Sequence, residues 1–276
     1  MPICRVMNEM IPLPSRFTDR AALLAHIRAL AGDSAADMPV PDIAAGGRRA
    51  AETALAAIDP RAYAVSRNHL DGAVTRLSPY IRHGVLSLDE VRNAALASVG
   101  DARQAEKFIQ ELAWRDYWQR VYLAHPERIW ADVESYKTGF DASEYDPDLP
   151  ADIAAGETGV ACIDQFVATL VDTGYLHNHA RMYLAAYIVH WRRVCWQAGA
   201  RFFLDHLIDG DPASNNLSWQ WIASTFSNKP YIFNLENVAK YCGPDINTIP
   251  RHNLVLDQSY ERLSDLLFPY MGGTHG

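Results

Sequence analysis

The sequence predicts an all-α protein. Apolar residues recur with the helical period of about 3.6 along most of the chain, and no segment shows the alternating pattern of a half-buried strand. Hydrophobic residues make up 49% and charged residues 21%, as is typical of a globular protein. The length of 276 residues is close to the largest size that one hydrophobic core supports. We therefore expect a single main domain.

The turn and helix signals divide the chain into three regions. Residues 1–60 are predicted to form a helical extension packed on the main domain, residues 61–270 the main helical domain, and residues 271–276 a flexible tail. Within the extension, helices are predicted at 20–30 and 48–58. The loop between them, around 31–47, is rich in Ala, Gly, Asp and Pro.

The first long helix of the main domain is predicted to begin at Asp101 as N-cap and to end near His125, before Pro126. One of its faces carries residues spaced i, i+3, i+4 and i+7, namely Glu111, Trp114, Arg115 and Trp118. A mixed polar and aromatic face can line a pocket, although half-buried surface helices also carry such faces.

The later elements follow from the same patterns. The polar, turn-rich segment 126–159 is longer than an ordinary connection, so we expect it to wrap a site or to cover a neighbouring helix. An amphipathic core helix is predicted to end at Gly174. Further helices are predicted at 178–197, 200–208, 215–225, 237–241 and 258–268.

Composition excludes several classes of protein. No stretch approaches the roughly 20 apolar residues of a membrane helix, and the first residues lack a signal core, which predicts a soluble, cytoplasmic protein without a membrane partner. The four cysteines are far apart, so we expect buried thiols rather than a zinc site or disulfides. A net charge of −8 argues against non-specific coating of nucleic acid, although a local basic face remains open.

A candidate anion site lies at residues 74–80. Ser78 is predicted to cap a helix whose first turn holds Pro79, and this geometry presents free N–H groups. Together with Thr75 and Arg76, these groups would suit a pyrophosphate. An ordinary capped helix explains the same residues.

The richest segment is 207–221, which combines two acids, two amides and two indoles: Asp209, Asp211, Asn215, Asn216, Trp219 and Trp221. Carboxylates and amides can fix the polar edge of an isoalloxazine ring, and indoles can donate electrons or stack on a substrate. Gly210 and Pro212 occupy positions where a calcium loop needs oxygen ligands, so we expect no metal. A further arginine, Arg181, could pair with a carboxylate near a cofactor or remain solvated.

These motifs together resemble the FAD-binding domain of the photolyase/cryptochrome family. Four blocks occur in the family's order and at nearly its spacing: Thr75-Arg76-Leu77-Ser78-Pro79-Tyr80 with Gly84-Val85-Leu86-Ser87, Glu111-Leu112-Ala113-Trp114-Arg115-Asp116-Tyr117, Gly174-Tyr175-Leu176-His177-Asn178, and Asp209-Gly210-Asp211 through Trp221. The resemblance covers about residues 63–233. It implies a single helical FAD-binding domain of that type.

The resemblance also implies roles in binding FAD. The phosphates would be held by Thr75, Arg76, Leu77 and Ser78, with Tyr63 nearby. Asp209 and Asp211 would hold the flavin edge, with Arg181 paired to Asp209. Asn215 would face the flavin N5 atom. Arg115 and Asn178 are also implied to bind the cofactor.

For activity, the resemblance implies blue-light-driven electron transfer from FAD to a flipped pyrimidine dimer, as in a deoxyribodipyrimidine photolyase. The dimer pocket would be lined by Glu111, Trp114, Asn178, Met182 and Trp221. The catalytic residues would be Glu111, Asn215, Trp219 and Trp196, the last two as steps that refill the flavin with electrons. DNA is the implied partner, single-stranded rather than duplex.

Several positions depart from the family pattern. The usual N-terminal antenna domain is not expected, Ile153 stands where the third tryptophan of the chain belongs, and His179 matches a basic residue that touches substrate phosphate. An electron exit through a tyrosine is therefore one alternative. A cryptochrome-like blue-light photosensor or redox flavoprotein without repair activity is a second functional hypothesis, and a helical interaction protein that keeps the motifs only for packing is a third.

Overall fold

The computed structural model describes residues 14, 16–31 and 46–271. The chain divides into two compact units, Met1–Pro41 and Asp42–Gly276. Within the described ranges the chain forms helices and turns, and the sole pairing of extended backbone is an isolated bridge between Asp146 and Val194. The predicted all-α fold is confirmed.

The first unit contains helix α1 (Arg20–Ala31), close to the predicted limits. The Ala22 N–H donates to Asp19 Oδ1 at 2.8 Å and so caps the start of α1. Most of the predicted loop 31–47 and of the predicted tail lies outside the described residues. The expected packing of an N-terminal extension and the domain limits at 60 and 270 stay predictions.

The second unit holds the remaining helices. In chain order these are α2 (Arg48–Ala56), α3 (Pro60–Ser66), α4 (Ser78–Arg82), α5 (Leu88–Ala97), α6 (Glu106–Ala124), α7 (Ala151–Ala155), α8 (Ala161–Thr173), α9 (Asn178–Ala186), α10 (Trp196–His206), α11 (Pro212–Ala223), α12 (Leu235–Cys242) and α13 (Tyr260–Leu267). Helix α8 ends at Gly174, as predicted, because this residue takes a left-handed φ of 63° that favours glycine.

The prediction of one long helix at 178–197 is wrong. Helix α9 ends at Ala186 and is followed by a π-helical turn (Tyr187–Trp191). A break in the helical backbone then separates this turn from α10. Tertiary contacts cause the break: Arg193 adopts a φ of 51°, and its guanidinium lies 3.7 Å from the centre of the Phe140 ring. Helical periodicity cannot reveal a contact with a residue more than fifty positions away.

Two predicted helix starts are also wrong. Ser78 is the first residue of α4 rather than its cap, and the N-cap residue Leu77 makes no side-chain cap hydrogen bond. The Leu77 N–H instead contacts Thr75 Oγ1 at 3.4 Å. Asp101 does accept a cap hydrogen bond, from the Arg103 N–H, but it caps a 3₁₀ turn (Ala102–Ala105) that precedes α6.

The segment 126–159 covers α11. The Val133 N–H donates to Gln220 Oε1 at 3.0 Å, and the Lys137 N–H donates to Ser224 Oγ at 2.8 Å. These buried polar partners replace water along the crossing segment. Of the two predicted roles of this segment, covering a neighbouring helix is confirmed.

The second unit contains two main hydrophobic clusters. The larger is built from α8 to α12 and includes Trp196 and Trp219, and the smaller, built from α2, α5 and the start of α6, includes Phe108. The larger cluster also holds the thiols of Cys162 and Cys242, and burial raises the pKa of each to about 12. The expectation of buried thiols holds for these two and is wrong for Cys195, which is partly exposed. Cys4 lies outside the described residues.

We expect His190 to make the protein sensitive to acid. This side chain is 1% exposed, with Nε2 lying 3.0 Å from Ile222 O, and burial lowers its pKa to about 3. The unfolded chain takes up a proton near pH 6.5 and the folded chain does not, so the free energy of unfolding falls as the pH drops below about 6.5. His190 alone contributes a loss of about 2 kcal/mol between about pH 7 and about pH 5.

Urea unfolding at the two pH values checks this expectation. The His190→Gln variant should lose less stability on acidification than the wild type, because an amide has no proton to gain. The His125→Gln variant, at a side chain that is 46% exposed, is the control and should behave as the wild type. Equal pH dependence in His190→Gln and wild type would contradict the assignment.

Candidate functional site

The second unit encloses a cavity of about 640 Å³. It lies between the two main hydrophobic clusters and is lined by residues of α4, α6, α9, α10 and α11. Residues 75–78 and the segment from Asp209 to Trp221 line the same cavity, although more than a hundred positions separate them. The volume lies within the range of about 300–1,000 Å³ that is usual for cofactor pockets.

The Arg76 region of the cavity suits an anion. Arg76 adopts a φ of 52°, which places a non-glycine residue in the left-handed region, and its guanidinium lies 5.1 Å from the centre of the Tyr175 ring. Among the described residues, no carboxylate forms an ion pair with Arg76. Thr75 and Ser78 line the cavity beside it. A guanidinium without a carboxylate partner, flanked by two hydroxyl side chains, can bind a phosphate group.

Asp209 and Arg181 form a buried ion pair on the cavity wall, as the resemblance implied. One terminal guanidinium nitrogen of Arg181 contacts both oxygens of Asp209 at 2.9 Å. The Arg181 Nε donates to Leu176 O at 2.7 Å, which fixes the guanidinium plane. The side chain of Asp209 is 3% exposed, so it depends on Arg181 and on any ligand in the cavity to offset its lost hydration.

Asp211 has a structural task as well as a place in the cavity wall. Its Oδ1 accepts hydrogen bonds from the Ala213 N–H at 2.9 Å and the Ser214 N–H at 3.3 Å, and so caps α11. Its Oδ2 accepts from Arg115 at 3.1 Å and from Gln119. These bonds tie α6 to the start of α11 and hold both sides of the cavity in place.

Residues of α11 carry polar atoms that are available to bind a ligand in the cavity. Asn215 donates from Nδ2 to Ala200 O at 3.0 Å and to Asn216 Oδ1 at 2.9 Å, and no described residue bonds its Oδ1. The Ser214 Oγ and Trp219 Nε1 atoms are buried without any hydrogen-bond partner among the described residues, and both residues line the cavity. Buried polar atoms rarely stay unpaired, so a polar planar ligand fits this wall.

Glu111 lies at the cavity between two cations. Its Oε1 is 3.3 Å from Arg67 Nη1 and 2.8 Å from Lys107 Nζ. Both cations contact the same oxygen, so Oε2 stays available to accept a hydrogen bond from a ligand. Sequence reasoning missed both cations. The i, i+4 spacing of Lys107 and Glu111 was a usable signal, whereas no local pattern connects Arg67 to Glu111.

Two half-exposed indoles line the same cavity. Trp114 is 52% exposed and Trp221 is 42% exposed, which is unusual for so large an apolar side chain. Nearby on α9, the Asn178 amide contacts Met182 Sδ at 3.7 Å. Flat apolar surfaces open to solvent next to an amide are suited to stacking on a planar polar ligand.

The cavity contains all but one of the residues for which the resemblance implied a catalytic, cofactor-binding or dimer-binding role. Its lining includes Tyr63, Thr75, Arg76, Leu77, Ser78, Glu111, Trp114, Arg115, Asn178, Arg181, Met182, Asp209, Asp211, Asn215, Trp219 and Trp221. The exception is Trp196, which lies in the larger hydrophobic cluster. Ile153 is also buried in that cluster. The individual roles of these residues stay predictions.

Burial favours the uncharged form of the two histidines that flank Asn178. Burial lowers the pKa of His177 to about 4, and burial also lowers the pKa of His179, with Arg67 and His69 nearby adding to the effect. His179 stacks on Tyr241 with ring centres 4.9 Å apart. A neutral imidazole cannot supply the charge of a basic phosphate ligand, so His179 is a poor substitute for one at neutral pH.

The described residues contain no group of three or more His, Cys, Asp or Glu side chains arranged to hold a metal ion. No helix in the described ranges has the length and apolar character needed to cross a membrane.

Comparison with known proteins identifies the fold. The family model for the FAD binding domain of DNA photolyase matches residues 108–254. The chain belongs to this photolyase family. A deoxyribodipyrimidine photo-lyase of Streptomyces griseus is 37% identical over 153 residues, covering 55% of this chain and 32% of that protein. A second, from Alkalihalophilus pseudofirmus, is 32% identical over 191 residues, covering 64% of this chain and 40% of that protein.

Solved structures of a photolyase and a cryptochrome share the fold of this chain. The archaeal photolyase of Sulfolobus tokodaii with two FAD molecules superposes with a TM-score of 0.65 at 25% identity, covering 84% of this chain and 57% of that one. A Synechocystis cryptochrome gives a TM-score of 0.63 at 21% identity, covering 74% and 46%, and shows the shared fold alone. The chain spans less than half the length of the curated photolyases named above. FAD is the cofactor, and the cavity residues fit it.

Proposed function

We propose that this photolyase-family chain uses FAD and blue light to split pyrimidine dimers in DNA. One observation carries the proposal: Glu111, Trp114, Asn178, Met182 and Trp221 line the same cavity as the residues that fit FAD. Bound FAD would supply a light-driven electron. A dimer held by these five side chains would therefore lie next to the electron source.

The chain's own residues would bind and orient the dimer. A base that leaves the DNA stack loses its stacking partners, and the half-exposed Trp114 and Trp221 offer replacements worth about 1–3 kcal/mol per base. Glu111 Oε2 would accept a hydrogen bond from a pyrimidine N–H, with Arg67 and Lys107 holding the carboxylate in position. The Asn178 amide would bind a pyrimidine carbonyl.

The chemistry is redox-neutral. One electron enters the dimer, the two bonds of the cyclobutane ring break in turn, and the same electron returns from the separated pyrimidines. The residues around the dimer need only hold the bases close and exclude water. No proton acceptor or metal is required for the balance.

Repair of defined oligonucleotides tests the proposal. Reduced, FAD-loaded protein is incubated with a thymine-dimer oligonucleotide, single-stranded in one arm and duplex in the other, under blue light and in darkness. Light-dependent restoration of thymine supports the proposal, and faster repair of the single-stranded substrate is expected because the net charge of −8 disfavours duplex binding. No thymine restored at stoichiometric protein would overturn it.

Trp114→Ala is expected to weaken dimer binding on the order of tenfold to a hundredfold without releasing FAD, because one stacking surface is lost. Titration with the dimer oligonucleotide in darkness measures the affinity, and the visible flavin spectrum measures FAD retention. Leu123→Ala is the matched control, since Leu123 is an exposed apolar residue of α6 that does not line the cavity. Equal affinities of Trp114→Ala and the control would contradict the stacking role.

The competing function is a cryptochrome-like photosensor or redox flavoprotein. The buried Ile153, at the position where the family resemblance implied a third tryptophan, favours it because a usual electron route is changed. A light-dependent change in the flavin spectrum without thymine restoration would assign this function instead.

A further inference from the structure

Trp130 is stacked on Trp196 at the surface of the protein. Their ring centres are 6.4 Å apart and the ring planes differ by 10°. Trp196 is 0% exposed, whereas Trp130 is 39% exposed. The stacked pair therefore joins the interior of the larger hydrophobic cluster to solvent.

Trp219 connects this pair to the cavity. It lines the cavity, is buried, and packs on Gly199 so closely that a Cβ atom there would lie 2.2 Å from the Trp219 ring. Gly199 is three positions after Trp196 on α10, so the two lie on one helix face a turn apart. Trp219 therefore packs against α10 one turn from Trp196, so the cavity-lining indole lies beside the helix that carries the stacked pair.

The surroundings of Trp196 stabilise positive charge on its ring. The Trp196 Nε1–H donates to Asp132 Oδ1 at 2.6 Å, and Gln197 Nε2 holds the same oxygen at 3.3 Å. A carboxylate at the indole N–H favours the ring cation formed when the indole loses an electron. The segment carrying Trp130 also supplies Asp132, so one short stretch of chain provides both the stacking partner and the counter-charge.

A tyrosine is a weaker candidate for the exit. Tyr136 is packed against the same hydrophobic cluster, and its ring stacks on Tyr145 with centres 4.2 Å apart. Burial, with Asp132 nearby, raises the pKa of Tyr136 above its usual range. A tyrosine must shed its phenolic proton when oxidised, and a buried phenol with a raised pKa does so reluctantly. An indole can lose an electron and keep its proton.

We propose that Trp130 is the surface residue through which electrons enter, passing by Trp196 and Trp219 to the cavity. The proposal rests on the light-driven function proposed above. Trp219 gives one electron to the light-excited flavin, Trp196 reduces oxidised Trp219, and Trp130 reduces oxidised Trp196. An added thiol reduces Trp130 and releases its proton to water. Two such reductions leave two thiyl radicals, which combine into one disulfide.

Trp130→Phe tests this route. With oxidised FAD bound and thiol present, flavin bleaching under blue light is expected to slow on the order of tenfold, because Trp196 then has no indole partner at the surface. After a flash, the oxidised-tryptophan absorbance should decay faster than in the wild type, since the charge stays closer to the flavin. Trp130→Tyr should give an intermediate rate.

A matched control and a cofactor-free readout complete the test. Trp191→Phe removes an indole that packs on Tyr187 and Phe233, and it should leave bleaching unchanged. In FAD-free protein, Trp130→Phe should abolish the near-ultraviolet dichroism of the stacked pair, whereas Trp191→Phe should keep it. Bleaching as fast in Trp130→Phe as in the wild type would overturn the route alone. A wild type that binds FAD and never bleaches would also overturn the route, whereas repair by reduced protein is decided separately by the thymine-restoration assay.

Discussion

Asp209→Ala is expected to yield a protein that purifies with little FAD. The substitution removes a carboxylate from the cavity wall and leaves the Arg181 guanidinium without its partner. Breaking a buried ion pair costs about 3–5 kcal/mol, and the lower end applies because the Arg181 side chain is 24% exposed. If most of this free energy is lost from FAD binding rather than from folding, FAD affinity falls on the order of a hundredfold.

Two measurements separate ligand loss from loss of fold. The visible absorbance of the purified protein reports FAD retention, and urea unfolding of FAD-free protein reports stability. Asp152→Ala is the matched control because Asp152 also pairs with an arginine, Arg192, at 2.8 Å and 3.1 Å, and does not line the cavity. This control should keep its FAD. Full FAD retention by Asp209→Ala would refute the assignment of Asp209 to the flavin site.

Gly199→Ala is expected to destabilise the protein although alanine favours helices. A Cβ atom at this position would lie 2.2 Å and 2.4 Å from two atoms of the Trp219 ring. That ring is buried and already meets Phe203 edge-on with centres 4.8 Å apart, so its free direction is toward the cavity. Overpacking costs about 1–3 kcal/mol, while alanine gains about 1 kcal/mol over glycine in a helix. We expect a net loss of up to about 2 kcal/mol.

The same displacement should weaken FAD binding, because Trp219 would occupy cavity space. The double variant Gly199→Ala with Trp219→Phe should regain stability, since phenylalanine lacks the ring atoms that clash. Gly100→Ala is the control, because a Cβ atom there meets nothing within 4 Å. Urea midpoints and FAD titrations of the three proteins decide the matter. Unchanged stability and FAD affinity in Gly199→Ala would show that α10 and α11 pack less tightly than described.

Local sequence signals determined most of the helices. Apolar periodicity and a terminal glycine placed α8 and its end at Gly174. The Asp-Gly-Asp-Pro turn predicted the break before α11, although the helix starts at Pro212, three residues before the predicted start at 215. Such signals act within a few residues, where helix geometry dictates which side chains meet. The same reasoning failed at 192–195, because the chain is bent there by Arg193 stacking on Phe140.

The candidate site divides in the same way. Its residue types and their order along the chain were readable as four motifs, and the resemblance built on them also implied the pair between Arg181 and Asp209. The contacts of Arg67 with Glu111 and of Trp130 with Trp196 join positions 44 and 66 residues apart. No periodic pattern links positions so distant, because their separation in space is set by how whole helices pack.

The amino-acid sequence by itself determined that this chain is helical, belongs with the photolyase-type flavoproteins, and carries the side chains that suit FAD. Only the tertiary structure decided that these side chains surround one cavity, that Glu111 is held by two cations, and that Trp130 stacks on Trp196 and reaches the surface. The physical reason is range: helix propensity and capping act over a turn or two, whereas packing between α6, α9, α10 and α11 decides which distant residues become neighbours.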